Sequence, residues 1–230
     1  MCGRYTHLYT WRELFRLMNL TAGVPEVGVH PSWNVAPTQS APVVVEDQGV
    51  RRVQMMRWGF SPPWATASSV HPINAKCETV ASSPMFRESF RHRRCLVPAS
   101  GFYEWKAGIK EKAPKQPYYI TLRDEPVMCF AGLWTPGAGE EPATFTVLTT
   151  TPNELMAGIH TRMPVIVDGA HRDAWLGQGQ LGMDDPWWCA PLPAGRMQTT
   201  TVGTRVNSPR NNDASLIEHR PAERTSLFDL

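Results

Sequence analysis

The residues with the most specific chemistry stand at the start of the chain, Met1-Cys2-Gly3-Arg4. Methionine aminopeptidases act when the second residue is small, and cysteine qualifies. Removal of Met1 leaves Cys2 with a free α-amine and a thiol on adjacent carbons. Such an amine ordinarily titrates at about 7.7–8.0 and such a thiol at about 8.5, so both have a usable deprotonated fraction near neutral pH. An amine and a thiol at that spacing attack one aldehyde in sequence. The amine forms a Schiff base, and the thiol then closes a five-membered thiazolidine ring. The second attack is intramolecular and gains the high effective concentration of an oriented neighbour. Position alone does not separate this reading from an incidental cysteine beside the start codon, so the other residues must decide.

Two further titratable residues stand where proton transfer is plausible. Glu104 lies in Phe102-Tyr103-Glu104-Trp105. A carboxylate between large aromatics either faces solvent or sits in an apolar wall, and the wall raises its pKa into a range that suits acid–base work. His160 and Arg162 follow a short helix read from Thr151-Pro152-Asn153-Glu154 and precede the apolar Val165-Ile166-Val167. A lone histidine is more often structural than catalytic, but functional polar groups gather at such junctions. Arg87, Arg91, His92, Arg93 and Arg94 make the most basic stretch. Its bland reading is a solvated face, and its functional one is a phosphate contact. The five cysteines, Cys2, Cys77, Cys95, Cys129 and Cys189, are odd in number and lack C-x-x-C spacing. That pattern argues against a disulfide framework and against a zinc site. No metal or cofactor is expected.

The elements that must position these residues are short. Thr10 with Glu13 reads as a capping box opening an amphipathic helix, with Trp11, Leu14, Phe15 and Met18 on its core face. A Pro/Gly-punctuated loop spans residues 21–33. Pro42–Glu46 and Val50–Phe60 read as strands joined across Asp47-Gln48-Gly49. Ser83-Pro84 is expected to open a second helix with Phe86 and Phe90 inward. Cys95–Pro98 and Gly101–Trp105 read as strands about a tight corner, and a lysine-bearing loop covers residues 107–115. Pro117–Leu122, Val127–Leu133, Ala143–Thr149 and Gln198–Val202 are further strands, and Ala170–Leu176 a helix. The tail past Glu218 reads as loosely ordered.

With 230 residues and no internal repeat or linker, the chain suits one domain over residues 1–220 with a tail at 221–230. Many short strands among few helices argue for α+β, with a curved or barrel-like, mostly antiparallel sheet flanked by short helices. A net charge of +2 advertises no global field for nucleic acid, so any anion site is a local patch. No apolar run approaches 20 residues and no signal-peptide pattern is present, which suggests a soluble cytoplasmic protein without a membrane partner.

The motifs Met1-Cys2-Gly3-Arg4-Tyr5, Trp33-Asn34-Val35-Ala36-Pro37, Arg57-Trp58-Gly59-Phe60, Ile73-Asn74-Ala75-Lys76-Cys77-Glu78-Thr79, Gly101-Phe102-Tyr103-Glu104-Trp105 and Ile159-His160-Thr161-Arg162-Met163-Pro164 occur in this order. Each is weak alone. Together they resemble the SRAP family, the SOS-response-associated peptidase or abasic-site processing proteins, from Cys2 to about residue 215. The resemblance implies a single α+β domain built on a sheet barrel. It implies a DNA-repair protein that senses abasic sites in single-stranded DNA and crosslinks to them as a thiazolidine through Cys2. Self-removal of residues before the cysteine and lyase-type strand cleavage are implied side activities, in a monomer associated with a bacterial nucleoid. By the same resemblance Cys2 is the nucleophile and Asn74 orients the N-terminus and the sugar. Glu104 and His160 carry the acid–base steps, and Arg4 and Arg162 contact the DNA backbone. Lys76 stands where the family usually has arginine, keeping the charge but not the bidentate fork. Trp64, Pro37 and Met85 are candidates for packing against flanking bases. An alternative is an amidohydrolase with an N-terminal nucleophile, as in glutamine amidotransferases, which also begin Met-Cys-Gly.

Overall fold

A computed structural model describes residues 2–21, 29–66, 69–108, 114–177, 181 and 186–221. The chain enters β1 (Tyr5–His7) and then α1 (Trp11–Leu17). Thr10 caps α1 as its sequence predicts. The Thr10 hydroxyl accepts from the Glu13 N–H at 3.3 Å, and the Glu13 carboxylate accepts from the Thr10 N–H at 2.7 Å. Leu14 and Met18, four residues apart, form a single buried stripe. Phe15 is 38% exposed, so the core face is narrower than expected. The Phe15 ring lies 6.1 Å from that of Trp11.

β2 (Ser32–Val35), β3 (Ser40–Asp47) and β4 (Val50–Trp58) follow. The hairpin read from the sequence is present, with Asp47 opposite Val50. Its turn places Gln48 at φ 50° and Gly49 at φ 76°. Two successive positive φ values match the twist of antiparallel strands, and glycine adopts the second without steric penalty. β5 (Asn74–Lys76) runs straight into the one-turn helix α2 (Cys77–Val80). The next helix, α3 (Arg87–His92), starts later than Ser83-Pro84 suggests. Those residues build the turn before it: the Ser83 carbonyl accepts from the N–H groups of Phe86 and Arg87 at 3.0 and 2.8 Å.

β6 (Arg94–Ala99), β7 (Gly101–Lys106), β8 (Gln116–Leu122), β9 (Met128–Thr135) and β10 (Thr144–Thr150) supply most of the remaining sheet. α4 (Glu154–Ala157), β11 (Met163–Pro164), α5 (Arg172–Leu176) and β12 (Met197–Thr201) complete the run. The smaller sheet has the order β12-β8-β7-β1-β2. The larger runs β11-β10-β4-β3-β6-β9, with β5 beside β10. Because β10 pairs with both β4 and β9, the larger sheet curls into a partial ring, short of a complete barrel. Pairing is antiparallel except where β10 runs parallel to β4 and β5. The fold is α+β, as expected.

The chain passes from the larger sheet to the smaller at Ser100, between β6 and β7. A Cβ on Gly101 would fall 2.5 Å from the Tyr119 ring, so this corner requires glycine. Tyr5, Trp58, Phe102, Phe130 and Phe145 fill one core, with Tyr5 and Phe102 both edge-on to Phe130 at 5.9 Å. A second core gathers Leu14, Phe90, Trp175 and Trp188 under the helices. Each such large apolar side chain contributes about 1.5–3 kcal/mol on burial.

One expectation is corrected. Cys77 and Cys189 are joined as a disulfide, with Cα atoms 5.5 Å apart across a separation of 112 residues. The fold sets α2 against the 3₁₀ turn Trp187–Cys189, a contact that cysteine spacing does not encode. Residues 222–230 of the expected tail, 109–113 of the lysine-bearing loop and 22–28 of the Pro/Gly loop lie outside the described residues.

Candidate functional site

Cys2 precedes β1 and is wholly buried in the first core. Its carbonyl accepts from Asn74 Nδ2 at 3.0 Å. Asn74 opens β5, which is held in register on β10 with Asn74 opposite Val147. The Asn74 Oδ1 is buried and without a hydrogen-bond partner among the described residues, so an acceptor remains for a ligand or an amine. Burial, and then the charge of Glu104, pushes the Cys2 thiol far above its usual range. At rest it is a neutral thiol and not a ready thiolate.

Glu104 lies on β7 opposite Tyr118 and is 2% exposed. Of its two sequence readings, the apolar wall is the one realised. Burial lifts its carboxyl above the ordinary carboxylate range, while His160 and the Trp105 backbone N–H pull it down. His160 follows α4, which Asn153 caps by accepting from the Met156 N–H at 2.9 Å. Its own N–H donates to the Met156 carbonyl at 2.8 Å. His160 Nδ1 faces the Arg162 backbone, 3.0 Å from its N–H and 3.2 Å from its carbonyl, so Arg162 fixes the ring and leaves Nε2 as its other nitrogen. Glu104 and His160 line one cleft of about 480 Å³ with Trp105, Pro114, Lys115 and Asn207. That size suits a small ligand or a single sugar with its neighbours.

The other predicted residues divide. Arg4 donates to Asn34 Oδ1 at 3.0 Å and to the carbonyls of Val206 and Asn207 at 2.7 and 3.1 Å. Asn34 in turn donates to the carbonyls of Ser208 and Asn211 at 3.0 and 2.8 Å. Together they clamp the segment that brings Asn207 to the cleft. Arg162 donates through Nη1 and Nη2 to both carboxylate oxygens of Glu78, at 2.6 and 2.8 Å. Lys76 is exposed two residues beyond Asn74. Trp64 is 63% exposed, while Pro37 and Met85 are half-buried. None of these three lines the cleft of Glu104 and His160. Pro63 and Ala65, on either side of Trp64, line a second cleft of about 320 Å³ with Arg57 and His71. In the basic stretch, Arg94 is neither solvated nor available to phosphate. It is buried and donates to the carbonyls of Trp175 and Phe90 at 2.7 and 2.9 Å.

Sequence reasoning missed Glu78, Asn34, Trp105, Lys115 and Asn207 as parts of the site. Glu78 and Asn34 sit inside motifs that were singled out, yet their partners are 84 and 30 residues away. Among the described residues one group of possible metal ligands gathers within 4.8 Å, Cys77, Glu78 and Cys189. Its sulfurs are joined and its carboxylate is held by Arg162, so these ligand atoms are already engaged.

Residues 1–209 match the family described as SOS response associated peptidase (SRAP). The abasic site processing protein YoqW of Bacillus subtilis (strain 168) is 37% identical over 227 residues, covering 95% of this chain and 99% of its own. The abasic site processing protein YedK of Escherichia coli (strain K12) is 28% identical over 228 residues, with 95% and 99% covered. A crystal structure of a protein from Bacteroides thetaiotaomicron superposes with a TM-score of 0.83 at 25% identity, covering 95% of this chain and 100% of that one.

Proposed function

The chain belongs to the SOS response associated peptidase family, and from that premise we propose that it repairs DNA at abasic sites, crosslinking to them in single strands through Cys2. The observation that supports the reading is the Asn74 hydrogen bond to the Cys2 carbonyl, with Glu104, whose charge acts on the Cys2 thiol, lining one cleft with His160. An abasic deoxyribose is mostly a closed hemiacetal. The ring oxygen, hydrogen-bonded by His160 Nε2–H, takes a proton from solvent as Glu104, when ionised, takes that of the anomeric hydroxyl, which opens the sugar to its aldehyde. Once Met1 is gone, the Cys2 amine adds to the aldehyde carbon to give a carbinolamine. The raised carboxyl of Glu104 then protonates the hydroxyl, which leaves as water, and an iminium remains. The thiol adds to the same carbon and its proton passes to the Glu104 carboxylate. The balance is one aldehyde plus one aminothiol giving one thiazolidine plus one water. The high thiol pKa favours this order, because the amine attacks first and the thiol is activated only beside an iminium. Asn74 fixes the Cys2 carbonyl and with it the direction of the amine.

Abasic DNA offers no base to read, so affinity rests on phosphates and on neighbouring bases. In this reading exposed Lys76 contacts a phosphate, and exposed Trp64, with half-buried Pro37 and Met85, packs against flanking bases. A sugar that must reach a buried nucleophile needs unstacked neighbours, which favours a single strand over a duplex. Loss of the strand by elimination from the Schiff base is a side reaction of the same intermediate.

Intact mass of the purified protein mixed with an abasic single strand tests this. The expected product is one protein without Met1 plus one strand minus one water. Cys2→Ser should leave a Schiff base that borohydride traps, and Cys2→Ala no heat-stable adduct. A heat-stable adduct with Cys2→Ala would sink the proposal.

A further inference from the structure

Glu78 is an exposed residue whose carboxylate is nevertheless fully engaged. Its two oxygens accept from the two terminal nitrogens of Arg162, and Arg162 Nη2 also donates to the Thr149 carbonyl at 2.5 Å. A bidentate fork of this kind fixes direction as well as distance. The pair ties three elements together. Glu78 sits in α2, directly after the strand that carries Asn74. Thr149 on β10 lies opposite Lys76 of β5 and Pro164 of β11. Arg162 belongs to the segment between α4 and β11. Its backbone N–H is the donor to His160 Nδ1. One residue therefore does two jobs, with its side chain anchored on Glu78 and Thr149 and its backbone holding the imidazole.

We propose that Glu78 is a positioning residue for the abasic-site chemistry, acting through Arg162 to hold His160 with its proton on Nε2 toward the cleft. This rests on the reading of the previous subsection. The Arg162 side chain is 17% exposed and that of Glu78 40%, so the charges alone are partly screened and the orientation matters more than the attraction.

Glu78→Gln keeps the size and removes the charge, and Glu78→Asp keeps the charge. Single-turnover crosslinking to saturating abasic single-stranded DNA is followed against pH. Binding to a strand with an aldehyde-free abasic analogue is measured separately across salt. Glu78→Gln is expected to crosslink about 10- to 100-fold more slowly, with a displaced pH midpoint, and Glu78→Asp to recover most of the rate. Binding and its salt slope should stay unchanged. An unchanged rate and pH profile would overturn the proposal. So would an unchanged rate with tighter, more salt-dependent binding, because Glu78 would then only mask Arg162 from phosphate. A second readout needs neither DNA nor turnover: ¹⁵N shifts of the His160 ring. The wild type should show the Nε2–H tautomer and Glu78→Gln a mixture. Identical tautomer populations overturn the inference even where the wild type forms no adduct, an outcome that instead defeats the proposed function.

Discussion

At Glu104 one side chain meets two opposite demands. The proposed reaction needs a carboxyl that gives up a proton and takes one back, and burial raises its pKa for that purpose. The same burial penalises the ionised form. The folded pKa lies above the unfolded one, so the contribution to stability is fully present below the unfolded value and falls as pH rises through the folded one. Glu104→Gln should therefore melt above the wild type by a margin that grows with pH beyond the ordinary carboxylate range. It should also slow crosslinking by about 10²–10⁴. Crosslinking at the wild-type rate at every pH would make Glu104 purely structural. Asn74→Ala should slow the reaction through lost orientation and leave the shape of the pH–rate profile unchanged; a shifted profile would give Asn74 a part in proton transfer. Whether Glu104 faces solvent or an apolar wall was not legible in the sequence. β7 is an interior strand buried almost throughout, so no alternation of polar and apolar residues marks its faces.

Among the elements, β1 carries a built-in acid sensitivity. His7 at its end is 5% exposed, and burial lowers its pKa to about 4. Its Nδ1 is buried without a hydrogen-bond partner among the described residues, which suits a neutral ring. A depressed histidine pKa contributes stability above the unfolded value of about 6.5, and that stability is lost as pH falls through 4. The amount at stake is about 3 kcal/mol. His7→Gln should lose less melting temperature than the wild type between pH 7 and pH 4.5, and equal losses would show that His7 is protonated without difficulty. The elements that were legible have local causes. The Thr10–Glu13 box and the Gln48-Gly49 turn are decided by residues within a few positions of each other. The start of α3 and the outward turn of Phe15 were not legible, because the first depends on a turn ahead of the helix and the second on which stripe the sheet covers.

At the scale of the whole molecule, strand order was beyond reach of the sequence. β1 pairs with β7, Tyr5 opposite Phe102, and β12 with β8, Met197 opposite Leu122, each far apart in the chain. The resemblance supplied the candidate site residues, and the pairing of β5 with β10 sets Asn74, one of them, against the Cys2 carbonyl. The Cys77–Cys189 link is the clearest long-range surprise. Closing a loop of about 100 residues is worth up to about 4.7 kcal/mol in the chain-entropy account. Reduction should lower the melting temperature by up to roughly 10–20 °C in a chain of this size, and Cys189→Ser should melt like the reduced protein. Identical melting with and without reductant would show that the bond adds nothing. The clamp of Arg4 and Asn34 on residues 206–211 bears on something else, the timing of synthesis. Arg4 has to wait for the Val206 carbonyl, 202 residues downstream. At roughly 5–20 residues per second the ribosome needs about 10–40 s to deliver it. For that interval the N-terminal segment lacks the partners at residues 206–211 that hold Arg4, whereas in the finished fold Arg4 is clamped and Cys2 is wholly buried.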